Sequence, residues 1–248
     1  MQRELKNGGS RKTNNNYGLS MNCLSKASRD FISFASQLDK PSIDMGCAYG
    51  VATRPLLDRG KTVFACDLSP NHLQSLREET PPRLSPFLRT QAGCFPQDFE
   101  FEDGSIGAIH CSLLFHFLTG EQVMDGLAKF RRWLCDEGRL FINVGTPKNP
   151  YLGNFPAEYE KRKGTMKWPG EISGEELSRF VLPEFIEWMG HNTMFRFVHR
   201  FDKDILSRAL TSSGFHINEL YAYTLEVNGK LHEFMGDENH LSAVASIR

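Results

Sequence analysis

The segment from Ile43 to Leu76 constrains the fold of this chain more than any other part of its sequence. A short apolar strand, Ser42 to Met45, runs through a turn of small residues, Gly46 to Gly50, into a short helix. A second apolar strand, Thr62 to Asp67, precedes a helix that begins at Ser69-Pro70, with Ser as N-cap and Pro in the first turn. This strand–helix–strand–helix order builds parallel sheets covered by helices, so we predict an α/β fold.

The same alternation continues along most of the chain. Hydrophobic periodicity predicts further strands and helices on either side of the first unit. They are helices at 20–36, 51–58, 120–134 and 202–213, strands at 87–94, 106–111 and 139–144, a turn at 136–138, and two final strands at 216–226 and 240–247. We expect residues 20–248 to form one domain, preceded by a disordered polar arm over residues 1–19.

An insert at about 150–200 interrupts the alternation with a dense set of aromatic side chains. A loop of this length inside a compact domain is usually functional or carries its own structure. Two interpretations are open and compatible with each other: a lid whose aromatics exclude water from a substrate, or a satellite core beneath a long loop. We expect Tyr151 and Trp168 of the insert to contact the substrate.

Charge and cysteine content argue against several classes of function. The 248 residues include 29 basic and 30 acidic side chains, a balance that gives no overall attraction to nucleic acid or to an anionic membrane. The six cysteines lack the spacing of zinc sites, so we expect no metal and a reducing, cytoplasmic compartment. No apolar run approaches the ~20 residues that span a bilayer, and we expect no membrane partner.

The turn from Gly46 to Gly50 is a candidate ligand site. A helix N-terminus offers unpaired N–H groups, and small residues let the backbone approach a ligand closely. Alone, such a turn is equally typical of a plain connection between a strand and a helix. Asp67 adds a second indication, because strand ends line one crevice in a doubly wound sheet, where a carboxylate can accept from both hydroxyls of a ribose. The other interpretation of Asp67 is a cap for the helix at Ser69.

Asp44 narrows the choice of ligand. A dinucleotide fingerprint needs Gly-x-Gly-x-x-Gly around a pyrophosphate, whereas this turn reads Asp44-x-Gly46-x-Ala48-x-Gly50. A carboxylate at the strand end opposes a pyrophosphate and suits a ligand with an ammonium group. The residues therefore favour an adenosine ligand with a cationic tail, such as S-adenosylmethionine, over a nicotinamide dinucleotide.

With these motifs the sequence resembles the class I S-adenosylmethionine-dependent methyltransferases, in their small-molecule branch. The resemblance covers residues 42–144 well and residues 201–215 in part. The stretches that carry it are Ile43-Asp44-Met45-Gly46-Cys47-Ala48-Tyr49-Gly50, Val63-Phe64-Ala65-Cys66-Asp67-Leu68-Ser69, Phe101-Glu102-Asp103-Gly104-Ser105-Ile106 and Leu114-Phe115-His116-Phe117-Leu118. It implies a Rossmann-like, doubly wound sheet of seven strands, mostly parallel with an antiparallel last strand.

The resemblance also implies a set of cofactor contacts. Asp44 would lie near the amino group of S-adenosylmethionine, Asp67 at the ribose hydroxyls, and Leu68 against adenine. The other implied contacts are the methionine part at Gly46, Cys47, Ala48, Gly50 and Ser112, and the adenine edge at Cys94 and Phe95.

The sequence departs from the family pattern at three positions. Where the family has the middle glycine of the turn, this chain has Ala48. Where the family has an acid that accepts from the adenine amino group, it has Cys94, and Gly107 replaces the family's acid after the aromatic of the fourth strand. Nearby Asp98 is the candidate to replace the carboxylate missing at Cys94. These departures concern the adenine contacts more than the turn.

We expect methyl transfer by in-line displacement to an oxygen, nitrogen or carbon nucleophile of a small organic substrate. Such a reaction depends on alignment and needs a base only where the nucleophile is protonated. His116, just after the fourth strand, is the candidate base, and a packed or capping role is its alternative. His191 and His199 are weaker candidates in the insert, and His110 is expected in the core.

Other functions remain as alternatives. A protein of this fold could bind S-adenosylmethionine without catalysis or act as a scaffold. A nicotinamide-dependent oxidoreductase is disfavoured by Asp44 and by the missing dinucleotide spacing. A protein acceptor is a further alternative, because the aromatic insert could hold a peptide.

Overall fold

A computed structural model describes residues 10–12, 19–21, 23–189, 196–225, 233–234 and 236–247. Its strands are β1 (Ser10–Lys12), β2 (Leu19–Met21), β3 (Ser42–Met45), β4 (Val63–Asp67), β5 (Leu88–Ala92), β6 (Ile106–Ser112), β7 (Leu134–Gly145), β8 (Glu171–Ser173), β9 (Phe197–His199), β10 (His216–Tyr223) and β11 (His240–Ser246). Its helices are α1 (Lys26–Ala35), α2 (Thr53–Leu57), α3 (Pro70–Glu79), α4 (Gly120–Trp133), α5 (Phe155–Lys163), α6 (Gly174–Phe180), α7 (Pro183–Met189) and α8 (Lys203–Ser212).

Seven of the strands form a central sheet in the order β10-β11-β7-β6-β3-β4-β5. β3 pairs in parallel with β4 and β6, and β5 and β7 extend the parallel arrangement on either side. β11 runs antiparallel to both β7 and β10. The predicted Rossmann-like α/β fold, with a mostly parallel sheet and an antiparallel last strand, is confirmed.

The chain order of the strands creates a crevice beside β3. From β3 the chain proceeds outward to β4 and β5, and then returns to the other side of β3 at β6. Ligands of open α/β sheets bind at such a switch point, outside the carboxyl ends of the strands. Register brings polar residues together there, because Asp44 pairs with His110 and Ser112 pairs with Asn143.

Helix α1 begins later than the sequence pattern indicated. The periodicity predicted a helix from residue 20, but residues 19–21 pair antiparallel with residues 10–12. Ser25 then caps the helix, since its hydroxyl accepts from the N–H of Ser28 at 2.9 Å. The paired residues 10–12 also differ from the predicted disordered arm, whose other residues before 19 lie outside the described part of the chain.

Strand β7 is longer than predicted. Residues 136–138 were expected to form a turn before a strand at 139, yet one strand continues through them. Ile106 pairs with Leu134 and Ala108 pairs with Arg139, so the intervening residues are absorbed as a bulge. Gly138 fits that bulge because a Cβ there would lie 2.9 Å from the carbonyl oxygen of Cys135.

The insert folds into α5, α6, α7 and the antiparallel pair of β8 and β9. Its residues Phe155, Tyr159 and Phe185 are buried in the same apolar cluster as the central strands. Each such side chain contributes roughly 2–3 kcal/mol by leaving water. The insert therefore carries its own helices but shares the core of the sheet, which differs from the separate satellite core that one of the two interpretations predicted.

Candidate active site

A cavity of about 490 Å³ lies at the carboxyl ends of β3, β4 and β6. The start of α1, the turn after β3 and the insert all contribute to its wall, with Ser25 and Ser28 from the first of these. Of the predicted site residues, Asp44, Gly46, Cys47, Ala48, Asp67, Leu68, Cys94, Phe95, Ser112, His116 and Tyr151 line the cavity, whereas Gly50 and Trp168 do not.

The turn after β3 owes its shape to three residues with a left-handed backbone. The φ angles are +75° at Gly46, +45° at Ala48 and +76° at Gly50. Glycine adopts this region freely, whereas alanine does so at a cost of about 1 kcal/mol. Gly50 serves packing instead of the predicted ligand contact, because a Cβ there would lie 2.6 Å from the Cδ1 atom of Leu76 in α3.

Asp67 connects the turn, the end of β4 and the start of α3. Its Oδ2 atom accepts from the N–H of Ala48 at 2.8 Å, and its Oδ1 atom accepts from the N–H of Ser69 at 2.8 Å. The same Oδ1 atom lies 3.0 Å from Nδ1 of His72. Asp67 therefore orders the N-cap residue of α3 and the side chain of His72, without capping a backbone N–H of the first turn. A carboxylate has about four lone-pair positions, so Asp67 can still accept from a ligand hydroxyl.

Asp44 belongs to a buried chain of polar groups that runs beneath the cavity. Its Oδ2 atom accepts from the hydroxyl of Thr53 at 2.7 Å, and its Oδ1 atom lies 2.8 Å from Nδ1 of His110. The other ring nitrogen of His110 lies 2.9 Å from the hydroxyl of Ser28. His110 is buried as predicted, and it also positions Asp44 from the neighbouring strand.

Asn143 on β7 extends this network and was missed by the sequence analysis. Its side-chain amide donates to the hydroxyls of Ser112 at 3.1 Å and Ser28 at 3.3 Å. Its carbonyl oxygen accepts from Ser25 at 3.1 Å and Ser242 at 2.5 Å. A polar residue inside an otherwise apolar strand was the available signal, since buried amides need several partners.

The predicted adenine side of the cavity combines an exposed apolar residue with an ordered loop. Leu68 is 52% exposed although it lies in the wall of a concave site. The N–H of Cys94 donates to Oδ2 of Asp98 at 2.7 Å. Asp98 does not line the cavity. It orders this loop, and the expectation that it replaces the missing carboxylate is wrong.

Cys47, in the turn itself, is a buried thiol. Burial raises its pKa well above the ordinary value, and the nearby carboxylates of Asp44 and Asp67 raise it further. The thiol therefore stays protonated and fills space, since only the thiolate is a nucleophile.

His116 lies in a short 3-10 turn after β6 and faces the cavity. Among the described residues its Nδ1 atom is buried without a hydrogen-bond partner. Burial lowers the pKa of His116 well below its ordinary value, and the positive charge of Arg200 lowers it further, followed by His240. The imidazole is neutral at neutral pH and can accept a proton.

Trp168, one of the two predicted substrate contacts, packs away from the cavity. It is buried against Gly120 at the start of α4, where a Cβ would overlap the indole ring. Its Nε1 atom lies 3.4 Å from Oε1 of Glu121, and its ring meets that of His199 edge-on at 5.5 Å. Trp168 therefore anchors the insert to α4 and is not placed to touch a substrate in the cavity.

The two other candidate bases in the insert have different outcomes. His199 is buried, does not line the cavity, and its Nδ1 atom lies 2.9 Å from the carbonyl oxygen of Leu118. It holds the insert against the loop after β6 and is not a base. His191 lies outside the described residues.

The described residues contain neither a cluster of metal ligands nor a membrane-spanning helix. No group of three or more His, Cys, Asp or Glu side chains there could hold a metal ion. No helix within those ranges is long and apolar enough to cross a membrane.

The cavity wall fits S-adenosylmethionine in its chemistry. Asp44 and Asp67 supply carboxylates where an ammonium group and ribose hydroxyls would lie, and Leu68 offers an uncovered apolar face for adenine. Glycine at position 46 suits the left-handed backbone of the turn and the side chain of Leu114, whose Cβ atom would lie 3.3 Å from an added Cβ. A carboxylate for the adenine amino group is missing from the wall, because Cys94 stands at its position and Asp98 does not line the cavity.

Comparison with known proteins shows what this fold is similar to. A search of curated protein sequences finds no match. Among solved structures, a methyltransferase dependent on S-adenosylmethionine from Methanosarcina mazei is 16% identical, with 90% of this chain and 97% of that chain covered and a TM-score of 0.63.

Two further structures have named substrates. Geranyl diphosphate C-methyltransferase from Streptomyces coelicolor A3(2) is 15% identical, with 89% of this chain and 78% of that chain covered and a TM-score of 0.61. The glycopeptide N-methyltransferase MtfA is 15% identical, with 90% and 91% covered and a TM-score of 0.56. At these identities the likeness establishes the fold.

The family match covers the part of the chain that builds the cofactor side of the cavity. Residues 43–142 match the family model described as a methyltransferase domain. That range contains the turn after β3, Asp67 and the segment around His116. The matched domain, together with the fold shared with methyltransferases that depend on S-adenosylmethionine, supports a methyltransferase that uses this cofactor.

Proposed function

We propose that this enzyme methylates a small organic acceptor held between the turn after β3 and the insert. The observation that carries the proposal is the composition of the cavity wall. The turn and Asp67 form one side, and Tyr151, Phe185 and Val198 of the insert contribute apolar surface to the other. A pocket of this kind buries a small molecule and excludes water from the reacting groups, which favours a small acceptor over a protein.

S-adenosylmethionine supplies a methyl group on a positively charged sulfur, which is displaced in line by the acceptor. On the side of the protein, Asp44 would attract the ammonium group, and Asp67 would accept from the ribose. Leu68 would cover one face of adenine, with Cys94 and Phe95 at its edge. These five residues lie at or just beyond the carboxyl ends of three neighbouring parallel strands, β3, β4 and β5, so the sheet fixes their mutual positions.

His116 is proposed as the base for an acceptor that carries a proton. The ring faces the cavity, and its low pKa keeps it in the neutral form that accepts a proton. Where the nucleophile is already unprotonated, His116 has no proton to remove and alignment alone suffices.

We place the enzyme in the cytoplasm, without a nucleic-acid or membrane partner. Cys47, Cys66 and Cys111 are buried thiols without disulfide bonds, which fits a reducing compartment. The near balance of acidic and basic residues gives the protein no overall attraction to nucleic acid or to an anionic membrane.

Partition of a radioactive methyl group tests the proposal. The protein is incubated with S-adenosylmethionine labelled on the methyl group and the low-molecular-weight fraction of a cell extract, with total protein as a second acceptor. We expect label in small molecules, and much less with Asp67→Asn. Asp125→Asn, at an exposed position on α4, is the matched control. Label that accumulates only in precipitated protein would contradict the proposal.

A further inference from the structure

Arg200, just after β9, is a buried cation in the wall of the cavity. Its side chain and backbone are only 6% exposed, and no carboxylate among the described residues forms an ion pair with it. Burial lowers the pKa of Arg200 to about 10, which leaves the guanidinium charged at neutral pH. A buried charge without a counter-ion is costly, so proteins rarely keep one without a use.

The surroundings of Arg200 hold its guanidinium in place but do not provide an acceptor for every N–H group. One nitrogen donates to the hydroxyl of Tyr151, and the guanidinium lies 5.4 Å from the centre of that ring. Its Nε atom is buried without a partner within the described part of the chain. Gly145 on β7 provides the space, since a Cβ there would collide with the guanidinium.

Within the described part of the chain, no carboxylate forms an ion pair that would offset the charge of Arg200. His116 and His240 are its titratable neighbours in the cavity, and the positive charge of Arg200 lowers the pKa of both. The carboxylates of the cavity, Asp44 and Asp67, follow β3 and β4 and are already hydrogen-bonded there. The cavity is therefore divided, with acids on the side of the cofactor turn and a cation on the side of the insert.

We propose that Arg200 binds a carboxylate on the methyl acceptor, so that the substrate is an organic acid with an apolar body. The inference rests on the proposed small-molecule acceptor. A guanidinium presents two parallel N–H groups that match a carboxylate, and the hydroxyl of Tyr151 adds a donor beside them. One guanidinium balances one negative charge, which favours a carboxylate over a phosphate dianion. The apolar side chains of Phe185 and Met189 face the remainder of the molecule.

Binding of matched acid and amide probes tests this inference. Protein saturated with S-adenosylhomocysteine is titrated by calorimetry with benzoate, phenylacetate, 3-phenylpropionate and octanoate, and with the amide of each. We expect at least one acid to bind tenfold or more tightly than its amide. Phenyl phosphate is titrated in the same way to test whether the site prefers a phosphate to a carboxylate. Equal binding of every acid and its amide would overturn the inference, as would tighter binding of phenyl phosphate than of all four acids.

Variants locate the effect at Arg200. Arg200→Met is expected to remove the preference for the acid, and Arg200→Lys to retain part of it. Arg179→Met removes the same charge from an exposed position on α6 and should retain the full preference. If Arg200→Met does not fold, Tyr151→Phe should reduce the preference several-fold. Unchanged binding of S-adenosylhomocysteine to the variants, with no acid preference in the wild type, would refute this inference and leave the methyltransferase site intact.

Discussion

Asp67 serves structure and ligand binding with a single carboxylate. Its contacts with Ala48 and Ser69 fix the turn and the start of α3 before any ligand arrives. The sequence presented capping and ribose binding as alternatives, because spacing alone does not show how many lone pairs a carboxylate has left. The structure makes ordering of the start of α3 compatible with ribose binding.

Asp67→Asn is expected to weaken binding of S-adenosylmethionine tenfold or more. The amide of asparagine keeps one acceptor oxygen, but its NH₂ group replaces the other and faces either a backbone donor or the ligand. A hydrogen bond to a charged group, of the kind lost in this variant, contributes about 1.5–3 kcal/mol. Calorimetric titration measures the affinity, and thermal unfolding shows whether the fold is kept. Asp125→Asn is the control, and an unchanged affinity in Asp67→Asn would remove Asp67 from the site.

Ala48→Gly is expected to stabilise the protein by about 0.5 kcal/mol. The φ angle of +45° strains alanine by about 1 kcal/mol or more, and the gain is partly offset by the larger entropy of glycine in the unfolded chain. Urea unfolding measures the change. Ala52→Gly, where φ is −85°, removes the same methyl group without relieving strain and should destabilise. Equal losses in both variants would contradict a strained Ala48.

His116→Gln is expected to reduce kcat by a factor of about 10² or more while S-adenosylmethionine binds as before. The pKa of His116 is lowered, so its neutral form persists on acidification, and the acid limb of kcat/KM should lie below pH 6.5. The rate is measured with the acceptor identified by label partition. An acid limb at or above pH 6.5, or full activity in the variant, would exclude His116 as the base.

At the scale of elements, the regular part of the fold was predictable and its irregularities were not. β3, β4 and β6 match their predicted ranges closely, because apolar runs between turn residues are strong signals. The start of α1 and the bulge in β7 were missed. Both depend on pairing with residues outside the segment itself, Ser10–Lys12 for the first and β6 for the second. Periodicity within one segment carries no information about such partners.

The insert illustrates the same limit for single residues. Nothing in the aromatic-rich sequence distinguishes Tyr151 from Trp168 as a substrate contact, yet of these two only Tyr151 lines the cavity. The difference lies in Gly120, whose missing side chain makes room for the indole ring on α4. The space for Trp168 is created by the lack of a side chain at Gly120 on α4, so the sequence of the insert alone does not reveal it.

Gly120→Ala is expected to destabilise the protein by about 1–3 kcal/mol, because the new methyl group would displace Trp168 from its packed position. Urea unfolding measures the loss, and titration with S-adenosylmethionine should show little change. Gly164→Ala, after α5, is the matched control, since the nearest atom to a Cβ there is 4.0 Å away. A destabilisation no greater than that of the control would mean that Trp168 does not anchor the insert.

At the scale of the whole molecule, the sheet separates two kinds of polar group. The carboxylates follow β3 and β4 in one half, whereas His240 at the start of β11 and the groups of the insert lie at the other half. This division explains why the cofactor side could be recognised from sequence and the acceptor side could not. The first is built by consecutive segments, and the second by residues between 116 and 240 that only the fold brings together.

Buried neutral histidines make the stability of the whole molecule dependent on pH. Burial lowers the pKa of His199 to about 4 and that of His240 to about 3, from an ordinary value of 6.5. The unfolded chain therefore binds protons that the folded chain does not. This contribution to stability is fully present above pH 6.5 and is lost as the pH falls toward the folded values.

We expect the free energy of unfolding to fall by about 3 kcal/mol from His199 alone as the pH drops from 6.5 to 4. Urea unfolding at a series of pH values measures the slope. His199→Phe keeps the ring contact with Phe201 and loses the titrating group, so it should flatten the slope while costing about 1 kcal/mol at pH 7 for the lost hydrogen bond. His216→Phe, at an exposed position on β10, should leave the slope as it is. A slope that persists in His199→Phe would assign the acid sensitivity to other groups.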